Sequence, residues 1–125
     1  MSGFAIEPGL TTTTLNNGVK IVGNILTNPG GGTLLVDTGA LAAGNYLVGF
    51  ILSHTAATLV DVQHRDSTDT NNIENPIRLV YGGGDTEYPM WPSKITIALN
   101  QRLRVVMAQA LVGDIQASVF LVLVV

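Results

Sequence analysis

The stretch Arg102-Leu103-Arg104-Val105-Val106-Met107-Ala108-Gln109-Ala110-Leu111-Val112-Gly113-Asp114-Ile115-Gln116-Ala117-Ser118-Val119-Phe120-Leu121-Val122-Leu123-Val124 decides the fold. Leu103, Val105, Met107, Gln109 and Leu111 alternate with Arg102, Arg104, Val106, Ala108 and Ala110. That period of two sends successive side chains to opposite faces of a β-strand. Val112-Gly113-Asp114 reads as a turn into a second strand from Ile115 to Val124. By its end both faces are apolar, with Val119, Leu121 and Leu123 on one and Phe120, Val122 and Val124 on the other. Such a strand is buried on both faces, by its own domain or by a neighbour.

The same pattern extends towards the amino terminus. Thr58–Arg65 alternates strictly, with Val60, Val62 and His64 opposite Leu59, Asp61, Gln63 and Arg65. Asn45–His54 carries Tyr46, Val48, Phe50 and Leu52 on one face, and Thr55-Ala56-Ala57 is expected to join these two strands as a hairpin. That pairing would set Leu52 near Val60 and Val48 near His64. Shorter strands are expected at Val19–Val22, closed by Gly23-Asn24, and at Thr33–Val36, Ile77–Tyr81 and Ile95–Leu99. Asn28-Pro29-Gly30-Gly31-Gly32, Asp66–Asn72 and Gly82-Gly83-Gly84 separate them as loops, and the one helical candidate, Gly39–Gly44, is too short to matter. About eight strands with turns at this spacing predict an all-β, eight-stranded, jelly-roll-like β-sandwich. Residues 18–125 form its single domain. Residues 1–17, with isolated Phe4, Ile6 and Leu10 around Thr11-Thr12-Thr13-Thr14, show no periodicity and are expected to be an extended N-terminal arm that orders against something else, the plainer alternative being a frayed end.

Composition narrows the function. The 125 residues suit one domain. Cysteine is absent, which removes disulfides, thiolate metal sites and thiol nucleophiles, and fits folding in a reducing cytoplasm. The start lacks a basic region followed by an apolar run, so no secretory signal is expected, and the longest apolar stretch, Val119–Val125, is too short for a spanning helix. Only 12% of the residues are charged, about half the usual share. Either other protein covers much of the surface, or Thr, Asn, Gln and Gly make it polar. A net charge of −3 with six basic residues argues against a nucleic-acid partner.

No constellation of residue types points to catalysis, a cofactor or a metal. The two histidines, His54 and His64, fall several residue pairs apart in the expected hairpin and cannot share an ion. Ser53-His54 and His64-Arg65-Asp66-Ser67 hold triad residue types in mere adjacency, with no nucleophile elbow. Asp85 and Glu87 read as two exposed loop carboxylates, with nothing apolar to raise the pKa of an acid. The glycine runs lack the Lys-Ser/Thr and following helix of a phosphate loop. The expectation is a protein that is not an enzyme.

Two features suit contact with a partner. Tyr81, Tyr88 and Trp91, with Pro89 and Pro92, form the one aromatic concentration. Exposed, such rings stack on a sugar or anchor a protein, but a single Trp in a small β domain more often caps the core, and that reading is favoured for Trp91. Arg102 and Arg104 share a face, suited either to a carboxylate of a neighbour or to a solvated strand.

The glycine-rich loop before a strand, Asn45-Tyr46-Leu47-Val48-Gly49-Phe50, Val62-Gln63-His64-Arg65, Asn100-Gln101-Arg102-Leu103-Arg104-Val105 and Gly113-Asp114-Ile115-Gln116-Ala117-Ser118 together resemble the small jelly-roll cement (decoration) proteins of tailed bacteriophage capsids, over roughly residues 33–124. The resemblance implies a structural protein of the virion, made in the host cytoplasm and seated on the outer capsid surface. It would clamp neighbouring major capsid subunits as a homo-oligomer, often a trimer and sometimes a dimer, with no cofactor and no catalytic residue. On that reading Phe4, Ile6 and Leu10 are the expected capsid contacts, and Trp91, Arg102 and Arg104 the expected oligomer contacts. The competing reading is a carbohydrate- or receptor-binding module of a phage fibre, with Tyr88 and Trp91 as its platform. A trimeric signalling jelly roll is disfavoured by the missing signal, and a cupin-like enzyme by the missing histidine cluster.

Overall fold

The computed structural model describes residues 11–14 and 19–124. These hold ten strands and no helix: β1 Thr11–Thr14, β2 Val19–Thr27, β3 Leu34–Asp37, β4 Gly44–His54, β5 Thr58–Arg65, β6 Ile77–Tyr81, β7 Asp85–Glu87, β8 Ile95–Ile97, β9 Arg102–Met107 and β10 Asp114–Val124. They form two antiparallel sheets facing each other across one core. The first runs β1-β2-β10-β4-β7, with β8 also on β4, and the second runs β3-β9-β5-β6.

Alternation dictates which residues fill the space between the sheets. Thr58, Val60, Val62 and His64 of β5 and Leu103, Val105 and Met107 of β9 point inward and are buried. They meet Val22, Tyr46, Val48, Phe50, Leu52, Ile115, Ala117, Val119 and Leu121 of the first sheet. Each fully buried Leu, Ile or Phe contributes about 1.5–3 kcal/mol, so the core holds the layers together without a covalent link. Asn24 adds a polar tie, its Nδ2 donating to the Leu35 carbonyl across the sandwich at 2.9 Å.

The expected hairpin between β4 and β5 does not form. β4 takes β10 on one side and β7 and β8 on the other, while β5 lies between β9 and β6 in the opposite sheet. Both strands therefore have their ladders filled, and Thr55–Ala57 crosses from sheet to sheet. The Asp114 carbonyl accepts the Thr55 amide and the Asp114 amide donates to the Thr55 hydroxyl oxygen, which fixes that crossing. β2 continues through Gly23 and Asn24 to Thr27, because β10 offers it an unbroken ladder from Asp114 to Val122. β8 stops at Ile97 and leaves Leu99 exposed in a turn where Asn100 adopts φ 68°. β9 ends at Met107, yet Leu111 is buried because its amide bonds to the Pro29 carbonyl in the adjoining loop.

The third crossing of the first sheet is one interrupted edge. Leu52 pairs with Glu87 and Gly49 bridges to Met90 in the same register, and two extra residues then intervene before Tyr46 meets Ile95. Pro92 falls in the break, after Trp91 has bonded to Val48, while the Pro89 carbonyl still accepts the Phe50 amide. Of the segment 1–17 expected as an arm, the described part, Thr11–Thr14, is extended and pairs with β2. Four β-branched residues suit that pairing.

Candidate interaction surfaces

The two outer faces of the sandwich differ in chemistry. On the second sheet every outward arginine meets an acceptor of this chain. Arg78 clasps Asp61 with two hydrogen bonds of 2.8 and 2.9 Å. Arg65 bonds Asp69 Oδ1 at 2.9 Å and Asn72 at 3.0 Å. Arg104 donates to Gln63 at 2.6 Å and to Asp69 at 3.3 Å, and Arg102 reaches Asp37 at 3.3 Å. The hydrogen bond from Arg65, joined by the charges of Arg104, Arg65 and Arg102, holds the Asp69 carboxyl below the usual range against the opposing effect of burial. The hydrogen bond and charge of Asp61 raise the Arg78 guanidinium above its ordinary value. Arg102 and Arg104 thus lie on one face, as their alternation predicts, and are engaged within the chain.

The outer face of the first sheet is different. Outward along β10 come Gln116, Ser118, Phe120, Val122 and Val124, and opposite them on β4 stand Ser53, Ile51, Gly49, Leu47 and Asn45. On β2 the partners are Ile25 and Gly23, with Val19 and Ile21 in register with Val122 and Phe120. The register of the interrupted edge puts Tyr88 opposite Ile51, and Met90 beside Gly49. A Cβ at Gly49 would come within 2.8 Å of the Met90 sulfur, so only glycine lets Met90 lie there. Leu47 is 45% exposed, Val122 38%, Tyr88 69% and Met90 65%. From Gln116 to Val124 no outward position of β10, nor its neighbour on β4, carries a charge.

Trp91 and Tyr88 lie on opposite sides of the edge strand. The Trp91 amide donates to the Val48 carbonyl, and its side chain packs, half-buried, against the core. Tyr88 is outward and exposed. The two rings therefore do not share a platform. Phe4, Ile6 and Leu10 fall outside the described residues.

The histidines are brought to separate ends of the core. His54 is stacked on Tyr81, with ring centroids 5.7 Å apart, and lies between the Ala56 carbonyl at 2.8 Å and Glu87 at 3.1 Å. Burial, then the charge of Glu87, pushes the Tyr81 phenol up. His64 lies between Glu74 at 3.0 Å and the Gln101 side-chain oxygen at 2.9 Å, which also accepts the Ala98 amide. Asp85 and Glu87 belong to strand β7 rather than to a mobile loop, and Glu87 is committed to His54. Among the described residues no group of three His, Cys, Asp or Glu is placed to hold a metal ion.

The sequence reading missed the charge-free face. Its signal was present in Leu47, Gly49 and Ile51 beside Phe120 and Val122, but only the β4–β10 register brings them onto one surface. Compared with known proteins, the chain matches no family model and no curated sequence.

Proposed function

We propose that the chain is a capsid decoration protein, a jelly roll that binds the outer surface of a phage head and stabilises contacts between major capsid subunits. The observation that carries this reading is the division of labour between surfaces. Most ionisable groups are spent on one another or on backbone amides, while a broad sheet face stays uncharged, with Leu47, Val122, Tyr88 and Met90 exposed on it. That is the equipment of a molecule that acts by contact.

The strand order supports the jelly-roll part of the reading. With β7, Met90 and β8 counted as one interrupted strand, β2 to β10 make eight, and the chain changes sheet at every step but β5 to β6, giving β2-β10-β4-β7/β8 over β3-β9-β5-β6. β1 then adds an edge strand, and the capsid contacts of this reading are Phe4, Ile6 and Leu10, which lie outside the described residues. The working form is a homo-oligomer in the virion, and many modest contacts repeated over a shell multiply its grip.

Co-sedimentation of the full chain with expanded heads that lack it tests this reading. Saturable binding is expected, lost in the double variant Phe4→Asp, Ile6→Asp, with the bound heads resisting heating that opens the bare ones. Failure of the native chain to sediment with the heads would overturn it.

A further inference from the structure

The charge-free face of the first sheet carries more than the decoration reading uses. We infer that two copies of this chain meet face to face through it, about a two-fold axis that runs across the strands. The inference rests on the oligomeric half of that reading and chooses the dimer over the trimer.

Size is the first argument. Four strands at about 4.8 Å spacing, over the nine residues Gln116–Val124 at about 3.4 Å each, give a footprint of roughly 600 Å². That is close to the lower bound per partner for a specific interface. Exposed Leu47, Val122, Tyr88 and Met90 supply the apolar part of that footprint, and the polar side chains among them, Gln116, Ser53 and Asn45, are uncharged.

Electrostatics is the second. A two-fold contact sets a face against its own copy, so any charge at its centre would meet its like. The outer face of the second sheet, with four arginines and their carboxylates, carries such charges, whereas the first has none between Gln116 and Val124.

The rims then fix the direction of the axis. At one end of the face β4 closes at His54, beside Ile115 and Asp85, and exposed Asp85 and Asp114 mark that end. At the other end Tyr46 meets Leu123 and Ile95, next to exposed Lys94. An axis along the strands would bring acidic end onto acidic end. An axis across them sets Lys94 of each copy against the acidic end of the other. Joining by sheet extension at the β7–β8 edge is disfavoured, because the edge breaks between Trp91 and Ile95, with Pro92 in the gap.

Light scattering on the eluting full chain tests this without any capsid present. The expected mass is twice 13.1 kDa. Val122→Lys and Leu47→Glu should each halve it, with the circular dichroism and melting temperature of a folded sandwich retained. Lys94→Glu should raise the dimer dissociation constant about tenfold, and adding Asp85→Lys, on the same edge of the facing copy, should recover much of the loss. A monomeric or trimeric native chain overturns the inference, as does a dimer that survives Val122→Lys and Leu47→Glu but falls apart in Arg104→Glu. A parallel sedimentation with heads separates the two readings. Head binding by a chain that is monomeric throughout, lost in Val122→Lys, would give this face to the capsid and leave decoration standing.

Discussion

Asp66 organises the loop after β5 with a single carboxylate. Its Oδ1 accepts the amides of Thr70 at 2.8 Å and Thr68 at 3.2 Å and the Thr68 hydroxyl at 3.0 Å, and Oδ2 accepts the Asn71 amide at 3.1 Å. The Thr70 amide leads these donors in lowering its pKa from 3.8 to about 2. A carboxyl more acidic in the folded chain than in the unfolded one stabilises the fold fully above the unfolded value, and that contribution is lost as pH falls through the folded one. The urea midpoint of Asp66→Asn should therefore lie below that of the native chain near neutral pH. The gap should narrow as pH falls from 3.8 and vanish below about 2; a gap that persists in acid would contradict this account. The inward place of His64 was legible from the alternation of β5. Its partners Glu74 and Gln101 were not, because Gln101 comes from another strand connection, 37 residues along the chain.

At the scale of elements, Gly113 and Gly82 look alike in sequence and differ in consequence. Gly113 opens β10 at φ 141°, a conformation that side chains rarely adopt, and the Thr55 side chain occupies the place of its missing Cβ. Gly82 has open space there and no positive φ. Gly113→Ala should cost about 1–3 kcal/mol in chemical unfolding, whereas Gly82→Ala should leave stability within about 0.5 kcal/mol or raise it slightly. Equal effects at the two sites would refute the assignment of the β4–β5 crossing to this contact. Strands β5 and β9 were legible because strict alternation needs no knowledge of partners. The hairpin was misread because Thr55-Ala56-Ala57 permits either a return within one sheet or a step to the other. The choice is made by the long ladder of β10 on β4, which local pattern does not reveal. The ladder on the other edge of β10 carries β2 through Gly23, a residue that reads as a strand end in isolation.

At the scale of the molecule, the low charge seen in composition resolves into a separation. The four arginines and their carboxylate partners gather on the outer face of the second sheet, and the outer face of the first carries no charge between Gln116 and Val124. Polar Thr and Asn line the loops, as one of the two explanations offered by composition expects. The end of β10 was expected to be buried on both faces, whereas its own domain leaves Val122 and Leu123 partly exposed. The central claim is that this sandwich sits on the outside of a phage head. Electron cryomicroscopy of heads reconstructed with and without the chain tests it most directly. The account predicts added density of two facing sheets on the outer surface, bridging adjacent capsid subunits, with apolar sheet faces of paired copies in contact. Saturating protein that leaves the outer surface unchanged, or density confined to a tail fibre, would contradict it.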